Sequence, residues 1–277
     1  MEWDAPVLEA RDLARTYDGG AYSDSWAAVL DFQAVLRYAN THPNKGSHAI
    51  SSALEIPRGR VRSWVGYDSK PDAVHGIEVA REYGWLEATP RDDTFQALNA
   101  LVANVFSGGS ISTRSFAPSF ALNHREHRSH VLETIDATGI DYEFAHEDDD
   151  SRATEVRPTA DGTVLGRTLV ALGAPVGPKA ELERLSLPWY LDEAPFEVRE
   201  MFVLAYLANR GIHHAGKDTI QIREERPQRY RDELASFIED IAKEPVTSTE
   251  HGITISADAA RSLGLQPRYR NPKTSFE

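Results

Sequence analysis

Arg58, Arg60 and Arg62 stand within five residues of one another, with Gly59 between the first two and Ser63 after the last. An arginine side chain presents five N–H donors in a planar fork, which can bond a phosphate or the O6/N7 edge of guanine through two parallel contacts. Other residues invite a different chemistry. His124, His127 and His130 recur every three positions, so neighbouring pairs could share a helix face. His146 is followed by Glu147, Asp148, Asp149 and Asp150. Metal binding needs ligands that converge on one point. The three histidines have no cysteine and no placed carboxylate beside them, so a polar helix face is the better reading. The acidic run lacks the ligand alternation and the glycine of a calcium loop, and reads as a solvated turn. His213 and His214 carry no pattern of their own. No glycine belongs to a phosphate-cradling loop. Neither a metal nor a nucleotide cofactor is expected, and no catalytic residue stands out.

The arginines sit in a pattern of short helices. Asp24 or Ser25 can cap a first helix carrying Trp26, Val29, Leu30, Val35 and Leu36. The cluster from Thr41 to Gly46 is a turn, Ser47 can cap a helix over 48–54, and Glu55-Ile56-Pro57 is a tight turn. Another helix starts near Arg58, and Asp72 can cap the next. Ile50, Leu54, Ile56, Val61 and Trp64 would face inward. That leaves Arg58, Gly59, Arg60, Arg62 and Ser63 on or near the outward face at the start of the second helix. The arrangement resembles a helix-turn-helix domain over about residues 24–87, whose second helix enters the major groove. A small helical domain with a solvated arginine face is the bland alternative. The polar, proline-containing stretch 87–93 marks a domain boundary.

Composition bears on partners. The 277 residues carry 43 acidic and 30 basic side chains, a net charge of −13, with no cysteine. Disulfides and thiolate zinc sites are therefore excluded. Of the basic residues only six are lysine. Abundant acid, scarce lysine and absent cysteine resemble the halophilic surfaces of proteins from salt-rich cytoplasm; an ordinary acidic protein of a GC-rich genome is the alternative. Net acidity argues against nucleic acid in general, so local basic clusters carry the information. High salt would remove most of the counterion-release gain, leaving base-edge contacts and shape. No apolar run reaches the ~20 residues of a membrane span, and the N-terminus lacks the regions of a signal peptide. A soluble, cytoplasmic protein is expected.

Beyond residue 93 two stretches match. Leu98 to Ser110 and Phe202 to Gly211 each end an apolar helix with a small residue on its packing face and a glycine beyond its last turn. Ala103 precedes Gly108 by five and Gly109 by six; Ala205 precedes Arg210 by five and Gly211 by six. The second stripe runs Val198, Met201, Phe202, Ala205, Tyr206. After each helix the elements recur. Strands are expected over 110–116, 141–146, 153–157, 219–223 and 252–255. Helices are expected over 124–138, after Asp161, after Pro227 and after Ser256.

This order resembles the LAGLIDADG family of homing endonucleases over about residues 94–265. The stretch from Gly166 to Lys179 and the sequence Leu187-Pro188-Trp189-Tyr190-Leu191 are similar to the segments the family has before its second motif. The resemblance implies an α+β fold: a duplicated αββαββα saddle, with halves of about 94–180 and 187–265, behind the N-terminal all-α helix-turn-helix domain of 23–87. An extension, 1–22, and a loose tail, 266–277, complete the chain. It further implies that Ala103 and Ala205 let the motif helices approach closely. The acid that holds the metal in each motif falls here at Gly108 and Arg210. Glycine has no side chain and arginine would repel Mg²⁺, so cleavage by a hard-ligand, two-metal route is expected to be absent. A dead nuclease-like domain beside a helix-turn-helix also resembles WhiA-type regulators, in which the order of the two parts is reversed.

The expected function is sequence-specific binding of double-stranded DNA without catalysis, as in a transcriptional regulator. Arg58, Arg60 and Arg62 would read one groove segment, and Ser112, Arg114, Gln221 and Arg223 would line the saddle. A working endonuclease with unconventional ligands and a protein-interaction module are the competing readings. A homodimer stays open, because the internal duplication already supplies a two-fold.

Overall fold

The structure, a computed structural model, describes residues 3–122, 130–148, 152–179, 182, 184–214 and 216–265. It is α+β, with eleven α-helices and two four-stranded antiparallel sheets among the described residues. His124, His127, Asp149, Asp150, Arg268 and Arg270 lie outside the described residues.

Five helices come first: α1 (Ala10–Ala14), α2 (Ser25–Thr41), α3 (Ser47–Leu54), α4 (Arg58–Gly66) and α5 (Asp72–Glu82). Asp24 caps α2, its carboxylate accepting from the Trp26 N–H at 3.0 Å. The expected caps at Ser47 and Asp72 are not made. Each is instead the first helical residue, after Gly46 and Pro71, with no side-chain cap. Between α3 and α4 the backbone turns through Glu55, at φ 55°. Ser51 ties that turn by donating to the Ile56 carbonyl at 2.7 Å. Pro57 then presets the entry to α4, whose first turn needs no N–H there. Ile50, Ile56, Val61 and Trp64 are buried together, with Leu54 packed at their edge. Leu30 and Leu36, expected on the inner stripe of α2, are exposed; the buried face instead runs Ala28, Val29, Phe32, Val35.

The remaining chain runs α6 (Asp93–Ser107), β1 (Ser110–Ile111), β2 (Pro118–Ala121), α7 (His130–Ala137), β3 (Tyr142–Ala145), β4 (Glu155–Pro158) and α8 (Gly162–Ala171). A 3-10 turn, Trp189–Asp192, leads into α9 (Phe196–Arg210), β5 (Ile212–His213), β6 (Ile220–Arg223), α10 (Gln228–Ala242), β7 (Val246–Thr249), β8 (Gly252–Ile255) and α11 (Ala257–Ser262). Both runs follow the order helix, two strands, helix, two strands, helix. Their sheets share one topology, β1-β2-β4-β3 and β5-β6-β8-β7.

The turn after β1 overturns one expectation. Residues 112–116 do not continue the strand. The Ser112 hydroxyl accepts from the Arg114 and Ser115 amides at 3.3 and 3.2 Å, and Phe116 turns at φ 57°. A serine side chain that satisfies local amides competes with strand pairing. The chain doubles back into β2, with the Ser112 amide bonding the Ala117 carbonyl at 3.1 Å. Helix α8 is pressed onto this turn: a Cβ at Gly166 would lie 1.7 Å from the Phe116 carbonyl oxygen. The Asp161 carboxylate does not cap α8 but accepts from the Tyr83 hydroxyl at 3.3 Å. In α9, Met201 is exposed and Val203 buried, so the core stripe is shifted from the expected one.

The first five helices and the sheet-bearing part are packed together. Trp85, fully buried, donates its indole N–H to the Thr138 carbonyl at 3.0 Å. The Arg167 guanidinium lies between the Tyr17 and Phe116 rings, 4.1 and 3.8 Å from their centroids, and donates to the Thr16 carbonyl. Val7, Leu8 and Leu13 at the N-terminus are buried in the same core. No helix among the described residues is long and apolar enough to cross a membrane.

Candidate functional site

Helix α4 carries the arginine cluster. Buried Val61 and Trp64 anchor one face of it, and Arg58, Gly59 and Arg62 are exposed on the other. Arg60 is half-buried, its guanidinium 4.2 Å from the centroid of the Tyr22 ring. Tyr22 in turn donates to Asp31 at 2.7 Å, and burial together with that carboxylate pushes its phenol up. Arg62 donates to the Tyr67 hydroxyl at 2.8 Å. Two of the three forks are thus oriented by aromatic rings, while Arg58 stands without a partner among the described residues. Ser63 is half-buried, and its carbonyl accepts from the Tyr67 and Ser69 amides.

The sheet residues divide less evenly. Gln221 and Arg223 lie on β6, alternating with buried Ile220 and Ile222, so both belong to the face turned away from the core. Across the ladder Gln221 faces Thr254, which faces Thr247 on the other side. His214 bonds Gln221 at 2.9 Å. This face is therefore rich in uncharged hydrogen-bonding groups with one arginine. In the first sheet Ser112 and Arg114 are not on a strand at all; they sit in the β1–β2 turn. The corresponding face carries Ser119, Glu143, Glu155 and Arg157. Glu155 accepts from Ser119 at 2.7 Å and pairs with Arg157 at 2.6 Å. Those donors hold the Glu155 carboxyl below its ordinary value against the burial that opposes them.

Helices α6 and α9 pack against each other. Ala103 and Ala205 are both buried, as their positions on the packing faces require. Polar side chains cross this seam. Asn99 donates to the Val198 carbonyl at 2.8 Å and accepts from the Tyr190 hydroxyl at 2.8 Å. Asn209 donates to the Asn104 side chain and, at 2.9 Å, to the Ser107 hydroxyl. His130 bonds Asn104 at 2.8 Å.

The C-terminal end of α6 is held by cations. Lys179 donates to the Val105 and Gly109 carbonyls, Arg226 to the Phe106 carbonyl and Arg210 to the Ser107 carbonyl. Carbonyls at a helix C-terminus have no partners within the helix and carry about half a negative charge, so cations are favoured there. Arg226 is itself buried and paired with buried Glu224 at 2.9 Å. The other Glu224 oxygen accepts from Tyr206 at 2.6 Å, and burial drives the Tyr206 phenol well up. Burial, reinforced by Arg226 and Arg210, lowers the Lys179 amine to about 7. Gly108, beside these groups, contributes no side chain. Among the described residues no three His, Asp or Glu side chains are grouped so as to hold a metal ion.

Sequence reasoning placed the seam helices but missed what binds them. Asn99 and Asn104 inside an otherwise apolar run were the available signal. Glu224 and Arg226 carried none, since Glu-Glu-Arg after a strand reads as a solvated loop. No family model matches this chain, and no curated protein matches its sequence.

Proposed function

We propose that this protein binds double-stranded DNA sequence-specifically and without cleaving it, in the manner of a transcriptional regulator. On this reading α3 and α4 act as a helix-turn-helix, and the two repeats form a degenerate homing-endonuclease-like saddle. The observation that carries it is the foot of the seam. Where such a nuclease needs carboxylates, this chain has Gly108, and Arg210 bonded to the Ser107 carbonyl. Hard divalent cations require oxygen ligands, and a guanidinium at that place opposes them. Support for binding comes from Arg58 and Arg62, exposed on α4 above a buried Ile50, Ile56, Val61 and Trp64. The Gln221, Arg223, Thr247 and Thr254 face of the second sheet adds groups suited to base edges.

The tight packing of Trp85 and Arg167 across the two parts supports a fixed distance between α4 and the sheets. Tandem contact then raises effective concentration only at sites of matching spacing. One observation favours a protein-interaction role instead: Glu143 and Glu155 make the outer face of the first sheet partly acidic. The test is a gel shift with the full chain on duplexes, alongside plasmid incubation with Mg²⁺ or Mn²⁺. Arg58→Ala should weaken binding and lower the steepness of its salt dependence. Linearised plasmid establishes the endonuclease reading, and a total lack of DNA affinity overturns both nucleic-acid readings.

A further inference from the structure

We propose that Tyr22, which precedes the helix-turn-helix in the chain, is a positioning residue that holds the Arg60 guanidinium ready for a base edge. The inference rests on the DNA-binding reading and adds to it a specificity role for the N-terminal segment. Residues 14–25 form a closed loop. Arg15 pairs with Asp24 at 3.0 Å, and the Ser25 hydroxyl donates to the Ala14 carbonyl at 2.7 Å. Within the loop the Tyr22 amide bonds the Gly19 carbonyl at 3.0 Å, and the Gly20 amide bonds the Asp18 carboxylate at 2.9 Å. A Cβ at Gly19 would lie 2.7 Å from the Tyr22 carbonyl oxygen, so the loop closes this tightly only on glycine. The Tyr22 side chain reaches α2, where its hydroxyl donates to Asp31 at 2.7 Å. The ring is thus fixed at both ends, by the closed loop and by Asp31.

Arg60 stands in the first turn of α4, and the first turn of a recognition helix is the part that meets base edges. Its guanidinium lies 4.2 Å from the centroid of the Tyr22 ring. The negative face of an aromatic ring attracts a cation placed over it. No carboxylate forms an ion pair with Arg60 among the described residues, and Asp31 is bonded to the phenol instead. The guanidinium is therefore oriented without being neutralised. A side chain ordered in advance loses less freedom on binding, so the fork would meet the O6 and N7 of guanine in one set orientation. Arg62 is held less firmly, because the Tyr67 it bonds is 67% exposed. Tyr22 is half-buried and anchored, which makes Arg60 the better-directed fork.

The test selects duplexes from a random library with the full chain and scores the preference at each base position. Arg60→Ala should lower the preference at one base pair by about tenfold. Tyr22→Leu should relax that same base pair by about two- to fivefold, with the other positions and the salt slope unchanged. Tyr22→Phe keeps the ring and should retain most of the preference, and Tyr22→Leu should add little on top of Arg60→Ala. A second arm needs no DNA: it follows the Arg60 Nε–H proton by NMR in the free protein, assigned by its absence in Arg60→Lys. A proton above an aromatic ring is shifted upfield. That shift should persist in Tyr22→Phe and vanish in Tyr22→Leu. Circular dichroism checks that each variant is folded; if Tyr22→Leu is not, Tyr22→Gln replaces it with the same expected result. An unchanged base preference in the folded variant, or an equal loss at every position, overturns the positioning role and leaves the DNA-binding reading standing. So does a wild-type protein that lacks the upfield shift. An upfield shift in a wild type with no DNA affinity sinks the DNA-binding reading and the positioning role with it.

Discussion

Glu224 is predicted to be the most expensive single charge to remove. Its side chain is 3% exposed and that of Arg226 4%, with 2.9 Å between the paired atoms. Tyr206 supplies a second donor to the carboxylate at 2.6 Å. Glu224→Gln keeps the shape and one acceptor oxygen but leaves the Arg226 cation buried and unmatched. Breaking one side of a buried pair costs about 3–5 kcal/mol, and the retained bond to the Phe106 carbonyl places this case near ~3 kcal/mol. Arg226→Met should cost a similar amount, because it strands the carboxylate and frees an α6 carbonyl. The double variant removes both charges together, so its loss should fall short of the sum by about 2 kcal/mol. Urea unfolding followed by far-ultraviolet circular dichroism reads all three. With a denaturant slope of ~3 kcal/mol/M, each single variant moves the midpoint down by about 1 M. A Glu224→Gln midpoint unchanged within error, or strict additivity of the two changes, would refute the claim that this pair is a coupled, desolvated unit.

Three further outcomes can be checked in the same assay. The Lys179 amine falls from 10.5 to about 7 in the folded protein, so between those values the unfolded chain holds more protons. Stability should therefore rise with pH from 7 towards 10, by at most about 1.4 kcal/mol per unit, and Lys179→Met should abolish that rise. Ala103→Leu inserts three carbons between fully buried faces and should destabilise by about 1–3 kcal/mol; a neutral result would mean that α6 and α9 are not closely packed there. Trp85→Phe removes the indole bond to the Thr138 carbonyl and should cost about 1–3 kcal/mol. A loss confined to residues 3–86 in hydrogen exchange would show that the two parts open independently.

Much of the architecture was legible because it rests on local signals. The stripes of α6 and α10, the Pro57 and Pro227 helix starts and the Ser256 cap each follow from neighbouring residues. Ser256 does accept from the Ala259 amide at 3.1 Å. Strands β2, β5 and β7 do not stand out in the residue pattern, although the resemblance implies two strands at each of those places. β5 has two residues, too short for alternation to register. β2 opens on Pro118, and its second half pairs with β4, far along the chain. Ser112 and Arg114 were misplaced because Ser-Ile-Ser-Thr-Arg-Ser-Phe alternates as a strand would, while the Ser112 hydroxyl was free to bond the next amides. At the seam, the alanines could be found by spacing. The cations could not, since Lys179, Arg210 and Arg226 come from three separate segments and meet only when α6 and α9 are packed.

Selection of duplexes from a random library by the full chain, with Mg²⁺ present, tests the central claim most directly. Sequence-specific binding without cleavage should enrich a single family of related sequences, recovered intact. Cleaved enriched duplexes, or a recovered pool as random as the input, would contradict it.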